Sequence, residues 1–144
     1  MPDNERTPVP ALLLGYGGLI PFIGGATLQV LSPDPRWLEM LSAYGAVILS
    51  FVGALHWGYA VRDAARGASA WWGYGWSVLP ALAAWVCLML PPATGVHALA
   101  LGLLVCLVVD EIVVPRMALP AWLLPLRRVL TAGGSLCLLA AGLA

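Results

Sequence analysis

Five runs of about twenty apolar residues divide this chain, and ten of its fourteen charged side chains fall outside them. The runs span 11–31, 41–61, 72–90, 96–114 and 126–144, each holding 19–21 residues. At 1.5 Å rise per residue, about 20 residues in an α-helix cross the ~30 Å hydrocarbon layer of a bilayer. With 61% hydrophobic and 10% charged residues in 144, there are too few polar side chains to coat a soluble domain. The pattern predicts an all-α integral membrane bundle of five transmembrane helices over 11–144, preceded by a disordered polar N-terminus at 1–10. The first run exceeds the usual 7–15 residues of a signal-peptide core, and no A-x-A site follows it, so it is expected to be retained as helix 1.

The turns between runs are rich in proline: SPDPRWLE at 32–39, PPATG at 91–95, and the 116–126 loop with Pro120 and Pro125. Pro21 and the surrounding glycines predict a kink or local unwinding in helix 1. The tryptophan cluster at 71–76 suits the headgroup level. With five spans, one face carries Arg6, Arg62, Arg66, Arg116, Arg127 and Arg128, and the other carries Arg36 alone. By the positive-inside bias this puts the N-terminus inside and the C-terminus outside.

Formal net charge is +0, which gives nucleic acid no basic field to bind. Cys87, Cys106 and Cys137 lie in apolar runs without CxxC spacing, so neither a disulfide framework nor a metal site is expected. His56 and His97 sit toward opposite ends of their helices, roughly 15–20 Å apart in depth, too far to hold one haem between them. No nucleophile–base motif or phosphate loop is present, so no catalytic residue and no cofactor is assigned.

Helices in a bilayer associate through small residues and interhelical hydrogen bonds. Ala46, Ser50, Ala54 and Gly58 recur every four residues in helix 2, and Gly133, Gly134, Ala140 and Ala141 smooth helix 5. This face packs within the bundle, or else forms a dimer seam or a groove for a flat ligand. Ionisable groups inside a span face the bundle or a polar cavity. His56 and Asp110 fall at similar depth near the inner ends of two helices running the same way, so they can hydrogen-bond. Two readings remain open. Asp110 and Glu111 pair with Arg127 or Arg128 at the interface while His56 donates to a carbonyl or hydroxyl, or His56, Trp57, Asp110, Glu111 and Arg127 line an inner-facing polar pocket.

The segments GYGGLIPF (15–22), YGAVILSFVGALHWG (44–58) and Asp110 through LPAW (119–122) to LRRVLT (126–131) resemble the uncharacterised family of small membrane proteins that includes transmembrane protein 69. The likeness covers nearly the whole chain and touches His56, Trp57, Asp110, Trp122, Arg127 and Thr131. The family pattern has a tyrosine after the loop tryptophan, where this chain has Leu123, which weakens any role for an aromatic pair there. The resemblance implies a multi-span protein of an energy-coupling membrane without supplying a reaction. The expected function is thus a non-enzymatic accessory or assembly-type membrane protein, acting through helix contacts with membrane lipid, a second copy or a larger complex as partner. The alternative is a small transport or lipid/quinone-binding protein built on the His56–Asp110 pocket. The expected location is the bacterial cytoplasmic (inner) membrane.

Overall fold

A computed structural model describes residues 6–65, 71–117 and 119–144. Helices α1 (Val9–Gly17), α2 (Ile20–Leu31), α3 (Pro35–Ala64), α4 (Trp71–Cys87), α5 (Pro92–Val113) and α6 (Leu123–Leu143) follow in order, with a 3-10 turn at Val114–Arg116. No strand occurs among the described residues. The disorder expected for 1–10 lies partly outside the described residues, and α1 begins at Val9. The arginine-bearing part of the 64–69 loop, Arg66 included, is also outside them.

Among the described residues, four segments are long and apolar enough to cross a membrane: Val9–Leu31 taken through its interruption, Pro35–Ala64, Pro92–Arg116 and Leu123–Leu143. The exposure pattern agrees. Leu14 (78%), Trp71 (87%) and Leu136 (66%) face outward, while His56 (2%), Asp110 (5%) and Thr131 (3%) are enclosed. Water would oppose that distribution and hydrocarbon favours it.

Proline chemistry sets the helix ends. Pro21 has no N–H, so the Gly17 carbonyl loses its ordinary partner four residues on. The interruption falls there, at Gly18–Leu19, one turn before the proline rather than at it. Gly18 N–H divides between the usual Leu14 carbonyl and the Gly15 carbonyl three residues back, and Leu19 N–H bonds the Tyr16 carbonyl, so tighter three-residue bonds bridge the gap. The Tyr44 hydroxyl of α3 donates to the Gly18 carbonyl at 2.8 Å, so the break is tied to its neighbour rather than left open to lipid.

The α3 helix starts six residues before the expected 41. Asp34 caps it, accepting from the Arg36 N–H at 2.9 Å, and Pro35 occupies the first helical position. At 30 residues α3 runs about 45 Å, well beyond the hydrocarbon layer. Conversely, α4 stops at Cys87 and not at 90, because Pro91 biases Leu90 away from helical geometry.

The most extensive packing is between α3 and α4, α5 and α6, and α3 and α5. Leu41, Leu49, Val96, Leu99 and Leu138 are essentially inaccessible at the centre. Glycines allow close approach: a Cβ on Gly53 would lie 2.8 Å from Pro80 of α4, and one on Gly102 of α5 would lie 2.8 Å from the Leu49 side chain. The seam on α3 is not the expected strip. Ala46 is buried and Ser50 half-buried, with its hydroxyl turned back to the Ala46 carbonyl, but Ala54 and Gly58 are exposed. Four residues advance 400° around a helix, so a strict four-residue stripe drifts about 40° at each step. The packed face mixes steps of three and four instead: Ser42, Gly45, Leu49, Val52, His56 and Ala60.

Candidate functional site

Three helices each bring one ionisable side chain to the same buried point. His56 comes from the second half of α3, Asp110 from the last turn of α5 and Arg127 from the second turn of α6. The 3-10 turn and the proline-bearing segment after it reverse the chain, which sets the start of α6 against the end of α5. Arg127 Nε and Nη2 donate to Asp110 Oδ2 at 2.9 and 2.8 Å, and His56 Nε2 lies 2.8 Å from Asp110 Oδ1. The side chains of His56 and Asp110 are 2% and 6% exposed.

This arrangement runs against local preference. A carboxylate is disfavoured in the last turn of a helix, because it meets the like end of the helix dipole. The pairing between helices offsets this. Arg127 is a permanent cation and Asp110 its counter-ion, and an ionised carboxylate only accepts. His56 Nε2 therefore carries the proton of that bond. Nδ1 is then a lone-pair acceptor in the neutral ring and a donor in the charged one. Among the described residues Nδ1 has no partner, and the same holds for the Trp76 indole N–H. The rings of Tyr59, Trp72 and Trp76 stand edge-on to the imidazole at 5.5, 6.0 and 6.4 Å. They wall it from lipid.

Consecutive residues separate sharply, since neighbours on a helix point about 100° apart. Asp110 and Arg127 face inward. Glu111 and Arg128 form a second, outward pair, Arg128 Nε and Nη2 meeting Oε1 and Oε2 at 2.6 Å each. Trp57 faces outward, half exposed, and packs against Tyr74 at 4.8 Å. Of the five side chains the sequence pointed to, His56, Asp110 and Arg127 meet, while Trp57 and Glu111 stand outside. The two open readings merge: Asp110 pairs with Arg127 and with His56 at once, and His56 does not donate to a carbonyl. The ring wall was missed. Its signal was the four-residue spacing of Trp72 and Trp76, which stack at 6.0 Å with 8° between planes.

Beside this set lies a cavity of about 120 Å³, bounded by Leu14, Gly15 and Gly18 at the break, Phe51 and Val52 of α3, Leu103 of α5, and Arg127 and Thr131 of α6. The Thr131 hydroxyl is buried and has no partner among the described residues. No cluster of three or more His, Cys, Asp or Glu side chains suited to a metal ion exists among the described residues.

The fold and the site together define a multi-span helical membrane protein with a buried histidine–aspartate–arginine set. Residues 7–143 match the model of a family described as protein of unknown function (DUF3429), and the chain belongs to that family. Transmembrane protein 69 of Xenopus tropicalis is 35% identical over 133 residues, covering 88% of this chain and 51% of that protein. Transmembrane protein 69 of Mus musculus is 28% identical over 129 residues, covering 87% and 52%. The chain thus spans about half the length of these curated relatives. No solved structure matches it. Both relatives are eukaryotic, which overturns the expected bacterial cytoplasmic membrane and points to a eukaryotic one. The expectation failed because hydropathy and arginine placement register a bilayer and its sidedness, not whose bilayer it is.

Proposed function

We propose that this protein binds an amphipathic small molecule within the bilayer, without catalysing a reaction, and that His56, Asp110 and Arg127 form the polar end of its site. One observation carries the reading: Arg127 both closes the buried ion pair and lines the adjoining apolar cavity. A charge in a span is costly, and where one persists it commonly marks a ligand or ion pathway. The test is extraction and mass spectrometry of small molecules that co-purify in mild detergent. A stoichiometric species in the wild type, diminished in His56→Ala, supports the reading. Wild-type protein free of any such species, with no solute or proton flux in vesicles, sinks it.

A second reading, an accessory role through helix contacts, draws on the outward-facing Ala54 and Gly58 of α3. Blue-native electrophoresis decides it, and a strictly monomeric species with no co-purifying protein speaks against it.

The topology we infer has five spans, with α4 as the third and the N-terminus on the arginine-rich, untranslocated side. Support comes from the six-to-one division of arginines. Leaving out Arg127 and Arg128, which lie within the last apolar run rather than between runs, the division is still four to one. Single cysteines at Arg6 and Asp34 in a cysteine-free background should react with an impermeant maleimide from opposite sides. Labelling from the same side would refute it.

A further inference from the structure

We propose that the cavity beneath the break in the first span seats a neutral carbonyl group borne on a membrane-soluble apolar molecule, with Thr131 and Arg127 as its hydrogen-bond donors. The inference rests on the ligand-binding reading and adds the place and the chemistry of the ligand.

The first argument is the unpaired hydroxyl. A threonine inside a helix ordinarily satisfies its hydroxyl on a carbonyl three or four residues back. Thr131 is 3% exposed and has no partner among the described residues, although it lines the cavity. A buried polar group left in this state calls for an occupant. Arg127 precedes Thr131 by four residues, so the two project from the same face of α6. Two of the guanidinium nitrogens are committed to Asp110, and Nη1 has no acceptor among the described residues.

The second argument is the charge balance. Arginine only donates, so the ligand atom beside it accepts. Asp110 already neutralises Arg127, and a second anion would meet the field of that carboxylate in a medium that screens poorly. A phosphate or free carboxylate is therefore disfavoured against a carbonyl oxygen.

Size and access complete the case. The cavity measures about 120 Å³, a little under the about 150 Å³ of a dry cavity that admits a benzene ring. The carbonyl-bearing edge of a ring or a short stretch of chain fits, with the remainder of the molecule in lipid. Gly15 and Gly18 leave the mouth without side chains, and Leu14 beside them is 78% exposed, so the opening faces hydrocarbon. Two sources offer this chemistry: a quinone ring and the acyl ester of a bilayer lipid.

The test measures equilibrium binding of radiolabelled decylbenzoquinone, a long-chain methyl ester and decylbenzene to the full chain in lipid nanodiscs. Saturable binding of either carbonyl probe is expected, with decylbenzene at least about tenfold weaker. Thr131→Val should weaken carbonyl-probe binding roughly five- to tenfold, the weight of one hydrogen bond. Thr131→Ser should retain it. Ile48 of α3 also lines the cavity, and Ile48→Trp, which fills it, should abolish binding while the protein melts as before. Quinone binding without ester binding, or the reverse, identifies the source. Unchanged affinity in both Thr131→Val and Ile48→Trp overturns the inference but leaves the ligand-binding reading standing. Absence of saturable binding by either carbonyl probe also overturns it, and the broader reading then falls only if nothing co-purifies with the wild type.

Discussion

Replacing Asp110 with asparagine removes the charge that ties α3, α5 and α6 to a common point. The aspartate accepts from His56 Nε2 at 2.8 Å and from Arg127 at 2.9 and 2.8 Å. Asparagine keeps one accepting oxygen, and interhelical hydrogen bonds in membranes average about 0.6 kcal/mol each, so the loss of a single bond sets a floor of about 0.6 kcal/mol, or about threefold in the folded population. Stranding the Arg127 cation without its counter-ion raises the ceiling to about 3–5 kcal/mol. Reversible unfolding in sodium dodecyl sulfate mixed micelles, followed by far-ultraviolet circular dichroism, reads this difference directly. Arg127→Gln should cost a similar amount. Because each single variant leaves a charge behind, Asp110→Asn with Arg127→Gln should be less destabilised than the two singles summed, by at least about 1 kcal/mol. A cost for Asp110→Asn below about 0.5 kcal/mol, or strict additivity in the double variant, would refute the three-way lock.

A methyl group at Gly53 would meet Pro80 at 2.8 Å, so Gly53→Ala should destabilise by about 1–3 kcal/mol in the same assay, whereas Gly58→Ala, with open space around it, should cost nothing measurable. Equal effects at the two positions would show that α3 packs by another face. Tyr44→Phe deletes the bond to the Gly18 carbonyl and should cost about 0.6–1.7 kcal/mol, with faster amide exchange confined to residues 17–23; unchanged exchange there would mean that the break holds itself. Hydrogen bonds from the Arg36 side chain, then from its backbone N–H, hold the Asp34 carboxyl at about 2, below its ordinary 3.8. A depressed carboxyl stabilises above its unfolded value, so the support it gives the start of α3 is present above pH 3.8 and lost as pH falls through about 2. Carboxyl NMR of Asp34 together with Arg36 amide exchange should follow that window, and titration near 4 would contradict it.

Apolar run length located the helices in advance because span length is dictated by the thickness of the bilayer. Polar boundary residues misled. The Asp34–Pro35 pair reads as a turn by composition, yet it is a cap followed by the proline favoured at a first helical position. Counting residues from the same ends of α3 and α5 suffices to bring His56 level with Asp110. Rotation about each axis was the hidden variable. In a soluble helix the polar face announces which way a residue points, but in a helix apolar all round that signal is absent. Hence Glu111 and Trp57, each one residue from a buried group, could not be told from the group itself. The unpaired Thr131 hydroxyl was beyond reach for a different reason, since a threonine in sequence carries no sign of whether it bonds its own backbone.

The doubled pairing of Asp110 with Arg127 and Glu111 with Arg128 bears on how the chain enters a membrane during synthesis. Inserted alone, α5 carries two carboxylates near its end and α6 two arginines near its start, each costing a share of the roughly 2.5–3.5 kcal/mol that such a charge costs at mid-helix. Presented together as a hairpin, the same four charges cancel in pairs 17 residues apart along the chain. The insertion machinery would therefore retain α5 until α6 has emerged and release them as one unit. A ribosome-bound chain ending before Arg127 would leave α5 only loosely committed to the bilayer.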